Sequence, residues 1–271
     1  MTESKARGYF RSGLPYTRLG HGPRPLVVVQ GLAFENKPQP GFMIRDYGCL
    51  EDDYTVWVVL RRPGLPLGYT LKDMAGDYAA MIREEFGGPI DVIGVSTGGS
   101  IVQHFAADHP DLVRRLVIHS SAYTLSDEAK QLQIDTARLA QRGKWRQAYT
   151  TLLGPVMAHV KEVKRFAGPV TWLMSALMAL RPPKDASDLV VTVEAEDKFN
   201  FRDRLAEIAA PTLVIAGEED PFYTPELFRE TAAGIPNARL ILYPGMGHPA
   251  TGKEFGRDLL AFLREEMPGD A

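Results

Sequence analysis

The chain has 271 residues, 45% hydrophobic and 24% charged, with a formal net charge of −3 and a pI of about 6.1. This is globular composition with ample material for a large core, and a weakly acidic chain without a basic stripe has little electrostatic reason to bind nucleic acid or anionic lipid. The single cysteine, Cys49, excludes an internal disulfide and a cysteine metal cluster.

In chain order, residues 1–7 are polar and lack the apolar core of a signal peptide. Three short segments follow, around 8–11, 16–19 and 25–30. The third contains Leu26-Val27-Val28-Val29, a continuous apolar run of the kind buried on both faces of a parallel sheet. Residues 55–60, Thr-Val-Trp-Val-Val-Leu, form another. Leu71, Met74, Ala75, Tyr78, Ala79 and Ile82 then recur at helical spacing, and Gly87-Gly88-Pro89 ends that helix. A strand at 91–95, a helix at 100–108 stopping before Pro110, and a strand at 115–119 continue the alternation.

The alternation breaks between about 122 and 204. Trp145, Tyr149, Leu152, Val156, Met157 and Val160 lie at near-helical spacing there. Residues 170–180 are apolar nearly all round until Arg181-Pro182-Pro183. The strand–helix pattern resumes with 212–216, 225–233, 239–243 and 254–266. Eight strand segments alternating with helices predict an α/β fold with a mostly parallel sheet covered on both faces. Its core would be 1–121 and 205–271, with 122–204 inserted as a helical cap. The longest apolar stretches, 26–29 and 170–180, fall short of the roughly 20 residues that cross a bilayer. A cytoplasmic protein without a membrane span is expected.

Gly94-Val95-Ser96-Thr97-Gly98 matches G-x-S-x-G. The bare pentad arises by chance in roughly one chain of this length in ten, so its context carries the weight. An apolar strand pattern precedes the serine directly and a helix pattern follows it. That is the strand–turn–helix in which a strained serine presents its hydroxyl above the sheet edge. The alternative is a tight turn with a helix-capping serine.

A serine hydroxyl needs a base within hydrogen-bond reach. Among the six histidines, His21 sits in an early turn, His104 and His109 lie in or at the end of the helix after Ser96, and His159 lies in the inserted stretch. His119 ends a strand, where core or wall side chains are usual. His248 follows the last strand in a loop with Gly245 and Gly247, which can fold the imidazole over the sheet edge. To orient it, Asp220 follows the strand 212–216. Glu218 and Glu219 are its rivals, and Pro221, fixing the turn, favours Asp220. Ser96, Asp220 and His248 each come within five residues of a strand's carboxyl end, where open parallel sheets bind ligands, and in the order Ser, Asp, His.

For a developing oxyanion, two backbone donors are expected: the N–H of Thr97, after the serine, and the N–H of Leu32, in the turn after Gln30. Trp145, Met157, Trp172, Met174 and Met178 are candidates for an apolar substrate wall, against the plainer reading that they only pack.

On Gln30-Gly31-Leu32, Arg62-Pro63-Gly64, 92–99, 211–221 and 245–248, nearly the whole chain resembles the α/β-hydrolase superfamily. The resemblance implies an eight-stranded sheet with a helical cap and a triad at Ser96, Asp220 and His248. It departs from the family's frequent His-Gly in having Gln30-Gly31. A serine rather than an aspartate at the turn argues against haloalkane dehalogenase and epoxide hydrolase relatives, and the lack of a Gly-Gly-Gly loop argues against the hormone-sensitive-lipase branch.

The expected activity is hydrolysis of a small to medium apolar carboxylic ester through an acyl-Ser96 intermediate, without metal or cofactor. A neutral imidazole is required, so turnover should fall as pH drops through the ordinary imidazole range near about 6.5. Alternatives on the same residues are a cofactor-free haloperoxidase or perhydrolase, a thioesterase or a carbon–carbon bond hydrolase. A ligand receptor of the same fold is a reading of another class, which an ester burst followed by negligible steady turnover would reveal.

Overall fold

The structure is a computed structural model that describes residues 6–160 and 164–265. The polar residues 1–5 and Glu266, the expected end of the last helix, lie outside the described residues. Eight strands form one sheet: β1 (Ala6–Tyr9), β2 (Pro15–Leu19), β3 (Arg24–Val29), β4 (Tyr54–Val59), β5 (Ile90–Val95), β6 (Val113–His119), β7 (Thr212–Gly217) and β8 (Ala238–Tyr243). Their order is β1-β2-β4-β3-β5-β6-β7-β8. β2 pairs antiparallel with β1 and with β4, and the six strands from β4 to β8 run parallel.

Eight α-helices accompany them among the described residues: α1 (Leu71–Glu85), α2 (Thr97–Asp108), α3 (Asp127–Gln141), α4 (Trp145–Ala158), α5 (Ala167–Met178), α6 (Ser187–Asp197), α7 (Pro225–Gly234) and α8 (Lys253–Arg264). α1 buries every residue of its predicted stripe. It starts at Thr70, whose side chain and that of Asp73 cap one another's backbone N–H groups.

The central strands are buried on both faces because helices cover both. Successive residues alternate between two cores. Val27 and Val29 of β3 and Val214 and Ala216 of β7 join the core under α1, α2 and α7. Leu26, Val28, Leu213 and Ile215 face the core under α8 and the 3-10 segment Gly41–Leu50. Each fully buried aliphatic side chain contributes about 1.5–3 kcal/mol, enough to hold the sheet in one register.

α3, α4, α5 and α6 all fall between β6 and β7. α3, α4 and α6 share a smaller core that includes Ala137, Ala148, Leu189 and Val193, with Leu32 and Trp145 packed against it. α5 runs over the expected apolar stretch, but Thr171 and Ser175 are its buried residues. Among the described residues no helix is long and apolar enough to cross a membrane.

Candidate active site

Ser96 is the single residue between β5 and α2 and sits at φ 54, ψ −126. A non-glycine residue there costs of order 1–3 kcal/mol, so the flanking contacts must hold it. They do so at close range. A Cβ on Gly98 would stand 2.0 Å from Val29 O, and one on Gly94 would stand 2.6 Å from Gly98 O. The two glycines let α2 start directly against β3 and β5. The Ser96 N–H donates to His119 O at 3.0 Å, and its side chain remains half-buried.

The loops after β7 and β8 meet beside it. A Cβ on Gly217 would collide with Met246 O at 2.2 Å, and the Glu219 N–H donates to Met246 O at 2.9 Å. This approach brings Asp220 and His248 together. His248 Nδ1 lies 2.7 Å from Asp220 Oδ2, and His248 Nε2 lies 3.0 Å from Ser96 Oγ. With a neutral imidazole, Nδ1–H donates to the carboxylate and the serine hydroxyl donates to Nε2. The Asp220 side chain is fully buried and that of His248 is 8% exposed. Asp220 Oδ1 accepts from the backbone N–H of Phe222 at 2.8 Å and of Tyr223 at 3.3 Å, so both carboxylate oxygens are held. The Phe222 ring stands edge-on to the imidazole at 4.7 Å. Glu218 and Glu219, the rivals by proximity, are exposed.

Thr97 is the first residue of α2, so its N–H has no acceptor within the helix. The loop after β3 lies against Ser96: a Cβ on Gly31 would be 3.1 Å from Ser96 Cβ. The buried Arg61 guanidinium holds this loop from behind, donating from Nη1 to Gln30 O at 3.1 Å and from Nη2 to Gly31 O at 2.9 Å. In a trans peptide the N–H points opposite to the C=O. Fixing Gly31 O therefore turns the Leu32 N–H away from Arg61. Burial lowers the Arg61 pKa, with Tyr78, Glu196 and Asp188 acting against that shift.

Glu196 of α6 reaches under the turn. Its carboxylate accepts from Thr97 Oγ1 at 2.7 Å and Ser100 Oγ at 2.9 Å. Burial raises its pKa and these hydrogen bonds oppose the rise. Neither Arg61 nor Glu196 was singled out by sequence reasoning. Arg61 follows β4 at the same strand end that marks the other rim residues, which is a usable signal. Glu196 carries none, since an acidic residue in a helix reads as solvated.

The other predicted residues are dispersed. Trp145 stands 6.2 Å from Tyr149, whose ring meets Phe34 at 4.5 Å, so it joins an aromatic row that leads to the loop of Leu32. Met157 is half-buried on α4. Trp172, Met174 and Met178 stand outward on α5, 56%, 38% and 38% exposed. The structure does not gather them with Trp145 and Met157, because α5 turns its hydroxyl-bearing side inward. His119 is core: Tyr47 Oη lies 3.1 Å from its Nδ1, its Nε2 lies 2.7 Å from Ala250 O, and its ring stacks on Phe255. His104 packs edge-on to Phe201, and burial lowers its pKa to about 4. A groove of about 360 Å³ lined by Thr70, Lys72, His104 and Glu194 contains none of the three rim residues.

A model of the alpha/beta hydrolase family matches residues 12–255. The chain is 29% identical over 210 residues to the Serratia proteamaculans protein named "Putative carbamate hydrolase RutD", covering 73% of this chain and 74% of that one. It is 28% identical over 186 residues to the 2-hydroxy-6-oxononadienedioate/2-hydroxy-6-oxononatrienedioate hydrolase of Paraburkholderia xenovorans, covering 64% and 62% of the two chains. Its fold resembles that of MGS-M2, an alpha/beta hydrolase enzyme from a Medee basin deep-sea metagenome library. The TM-score is 0.78 at 15% identity, over 98% of this chain and 100% of the other.

Proposed function

The chain belongs to the alpha/beta hydrolase family, and on that premise we propose that it hydrolyses a carboxylic ester of a small to medium apolar substrate through an acyl-Ser96 intermediate. The observation that carries this reading is the unbroken relay from Ser96 Oγ through the His248 imidazole to the buried Asp220 carboxylate, with steps of 3.0 and 2.7 Å. His248 Nε2 takes the hydroxyl proton as Oγ attacks the ester carbonyl. Asp220 holds the imidazolium that forms. The negative oxygen of the tetrahedral intermediate is held by the N–H groups of Thr97 and Leu32. Collapse expels the alcohol, which leaves with the proton from Nε2. Water, activated by the same nitrogen, then releases the carboxylic acid and restores Ser96.

In this reading 122–204 caps a core of 1–121 and 205–271. The row Trp145, Tyr149 and Phe34, with Met157 on α4, supplies the apolar wall. A cytoplasmic location fits the single free Cys49. The likeness to the Paraburkholderia hydrolase favours a second reading, hydrolysis of a carbon–carbon bond beside a ketone of a dicarboxylate. An ester is preferred because the guanidinium of Arg61, which holds the loop after β3, is turned to Gln30 O and Gly31 O rather than to a substrate carboxylate.

A fluorophosphonate probe should label the wild-type chain at Ser96, and Ser96→Ala should lose labelling together with at least about 10⁴-fold of kcat on p-nitrophenyl esters. Full turnover by Ser96→Ala would end the proposal. Graded acyl lengths measure the pocket, and product analysis with a vinylogous keto acid separates the second reading.

A further inference from the structure

Helix α5 reverses the usual rule for a surface helix, which turns its apolar stripe to the core and its polar face to water. Its buried residues are Thr171 and Ser175, one turn apart, while Trp172, Leu173 and Leu177 are 56%, 53% and 59% exposed. Among the described residues neither buried hydroxyl has a hydrogen-bond partner. Phe166 before the helix and Leu180 after it extend the exposed apolar surface at both ends. Such a ridge is held in water only at a cost, and it marks a surface that something covers.

The charges around it indicate what. From Lys164 to Lys184 the sequence has no acidic residue, and Lys164 and Arg165 at one end of α5 and Arg181 and Lys184 at the other are all exposed. Just before this stretch Lys161 and Glu162 cancel, and just after it the exposed Asp185 offsets Lys184, so the excess cations are Lys164, Arg165 and Arg181. The Arg146 guanidinium adds a further cation 5.8 Å from the Trp172 ring centre. The net charge of −3 hides this segment because it averages over the chain. The complement of an apolar ridge with cations at both ends is an apolar layer edged by anions.

A second copy of the chain fits poorly, because a two-fold contact would set the same cations against one another. A flat protein face fits poorly too. Trp172, Leu173 and Met174 are consecutive and all exposed, and successive helical residues point about 100° apart. Acyl chains can close around such a convex ridge on several sides at once. At about 18 Å, twelve residues of helix are too short to span the roughly 30 Å hydrocarbon layer, but a helix lying in the interface needs no such length.

We propose that α5 docks this protein on an anionic phospholipid surface, its apolar ridge in the interfacial layer and Lys164, Arg165, Arg181 and Lys184 at the level of the headgroups. The docking does not depend on the reaction at Ser96. The test is co-sedimentation of the full chain with phosphatidylcholine vesicles with and without phosphatidylglycerol. Binding should be at least about tenfold tighter on the anionic vesicles and should weaken with added salt. Leu173→Asp with Leu177→Asp, and separately Lys164→Glu with Arg165→Glu, should each lose at least about tenfold in binding while keeping the wild-type melting temperature and ester turnover in solution. The proposal is overturned by absence of binding to anionic vesicles, by equal binding to both vesicle types, or by undiminished binding of the folded variants. It is equally overturned if the wild-type chain is a dimer that the leucine variants dissociate and that ignores vesicles.

Discussion

At the carboxyl rim of the sheet, polar groups are spent on one another: both oxygens of Asp220 accept hydrogen bonds, both imidazole nitrogens of His248 are engaged, and Arg61 holds two carbonyls. Along α5 the hydroxyls of Thr171 and Ser175 face inward without partners among the described residues, and large apolar side chains face out. The difference shows where each region finds its complement. The rim is closed by the chain itself, through backbone approaches so tight that a single methyl would break them. The outer face of α5 is left open. Substitutions at the rim should therefore be costly within the isolated molecule, and substitutions on α5 should be felt only when a partner surface is present.

After Ser96→Ala, the largest effect should come from Asp220→Asn, which keeps the shape of the rim but removes the charge 2.7 Å from His248 Nδ1. We expect kcat to fall by roughly 10³–10⁴ with little change in melting temperature, and a loss under tenfold would show that the imidazole is held some other way. Arg61→Met should come next. Freed of its guanidinium, the Gln30–Gly31 backbone loses the restraint that turns Leu32 N–H, and kcat should drop by about 10²–10³. An inhibitor that forms a tetrahedral oxyanion on Ser96 should weaken in step, whereas a merely structural role would lower the melting temperature and leave inhibitor affinity alone.

Gly98→Ala tests the closeness of the rim. The new methyl meets Val29 O at 2.0 Å, and a urea midpoint shift equivalent to about 1–3 kcal/mol is expected. A neutral result would mean that α2 can move aside.

A smaller signal should come from His119, whose pKa burial lowers to about 3. The unfolded chain binds this proton below about 6.5 and the folded chain does not until about 3. Stability is thus fully present above the first value and declines as pH falls through that window, by up to about 1.4 kcal/mol per pH unit. His119→Gln retains a donor and an acceptor for Ala250 O and Tyr47 and should flatten the slope of melting temperature against pH. An unchanged slope would assign it to other groups, His104 first. The smallest effect belongs to α5: Leu177→Ser should change stability by no more than about 0.5 kcal/mol, and a larger loss would mean that its side chain packs against the chain after all.

Most of the framework was readable because its signals are local. A β-branched apolar run of a few residues bounded by turn signals is the local mark of a strand buried on both faces, so Leu26-Val27-Val28-Val29 and the run ending at Val95 stand out without knowledge of their neighbours. Ser96, Asp220 and His248 were selected for their distance from strand ends, since the ends of parallel strands share one edge. Residues that work from the side were not readable in this way. Glu196 sits 96 residues beyond Ser100 and looks like any acidic helix residue until α6 is laid over α2. The apolar composition of 170–180 suggested a substrate wall. Composition records that a segment is greasy, but not which side of its helix is turned in.

Chain order and residue type were sufficient to determine an α/β sheet, the strained turn at Ser96, and which acid and which imidazole stand at the same edge, because strand burial, helix periodicity and turn chemistry act over a few residues. Tertiary structure alone decided the grip of Arg61 on the loop after β3, the carboxylate of Glu196 beneath Thr97, and the outward face of α5. Those contacts join residues 30 to 99 positions apart, and their existence depends on how packed elements are rotated, which no local preference encodes.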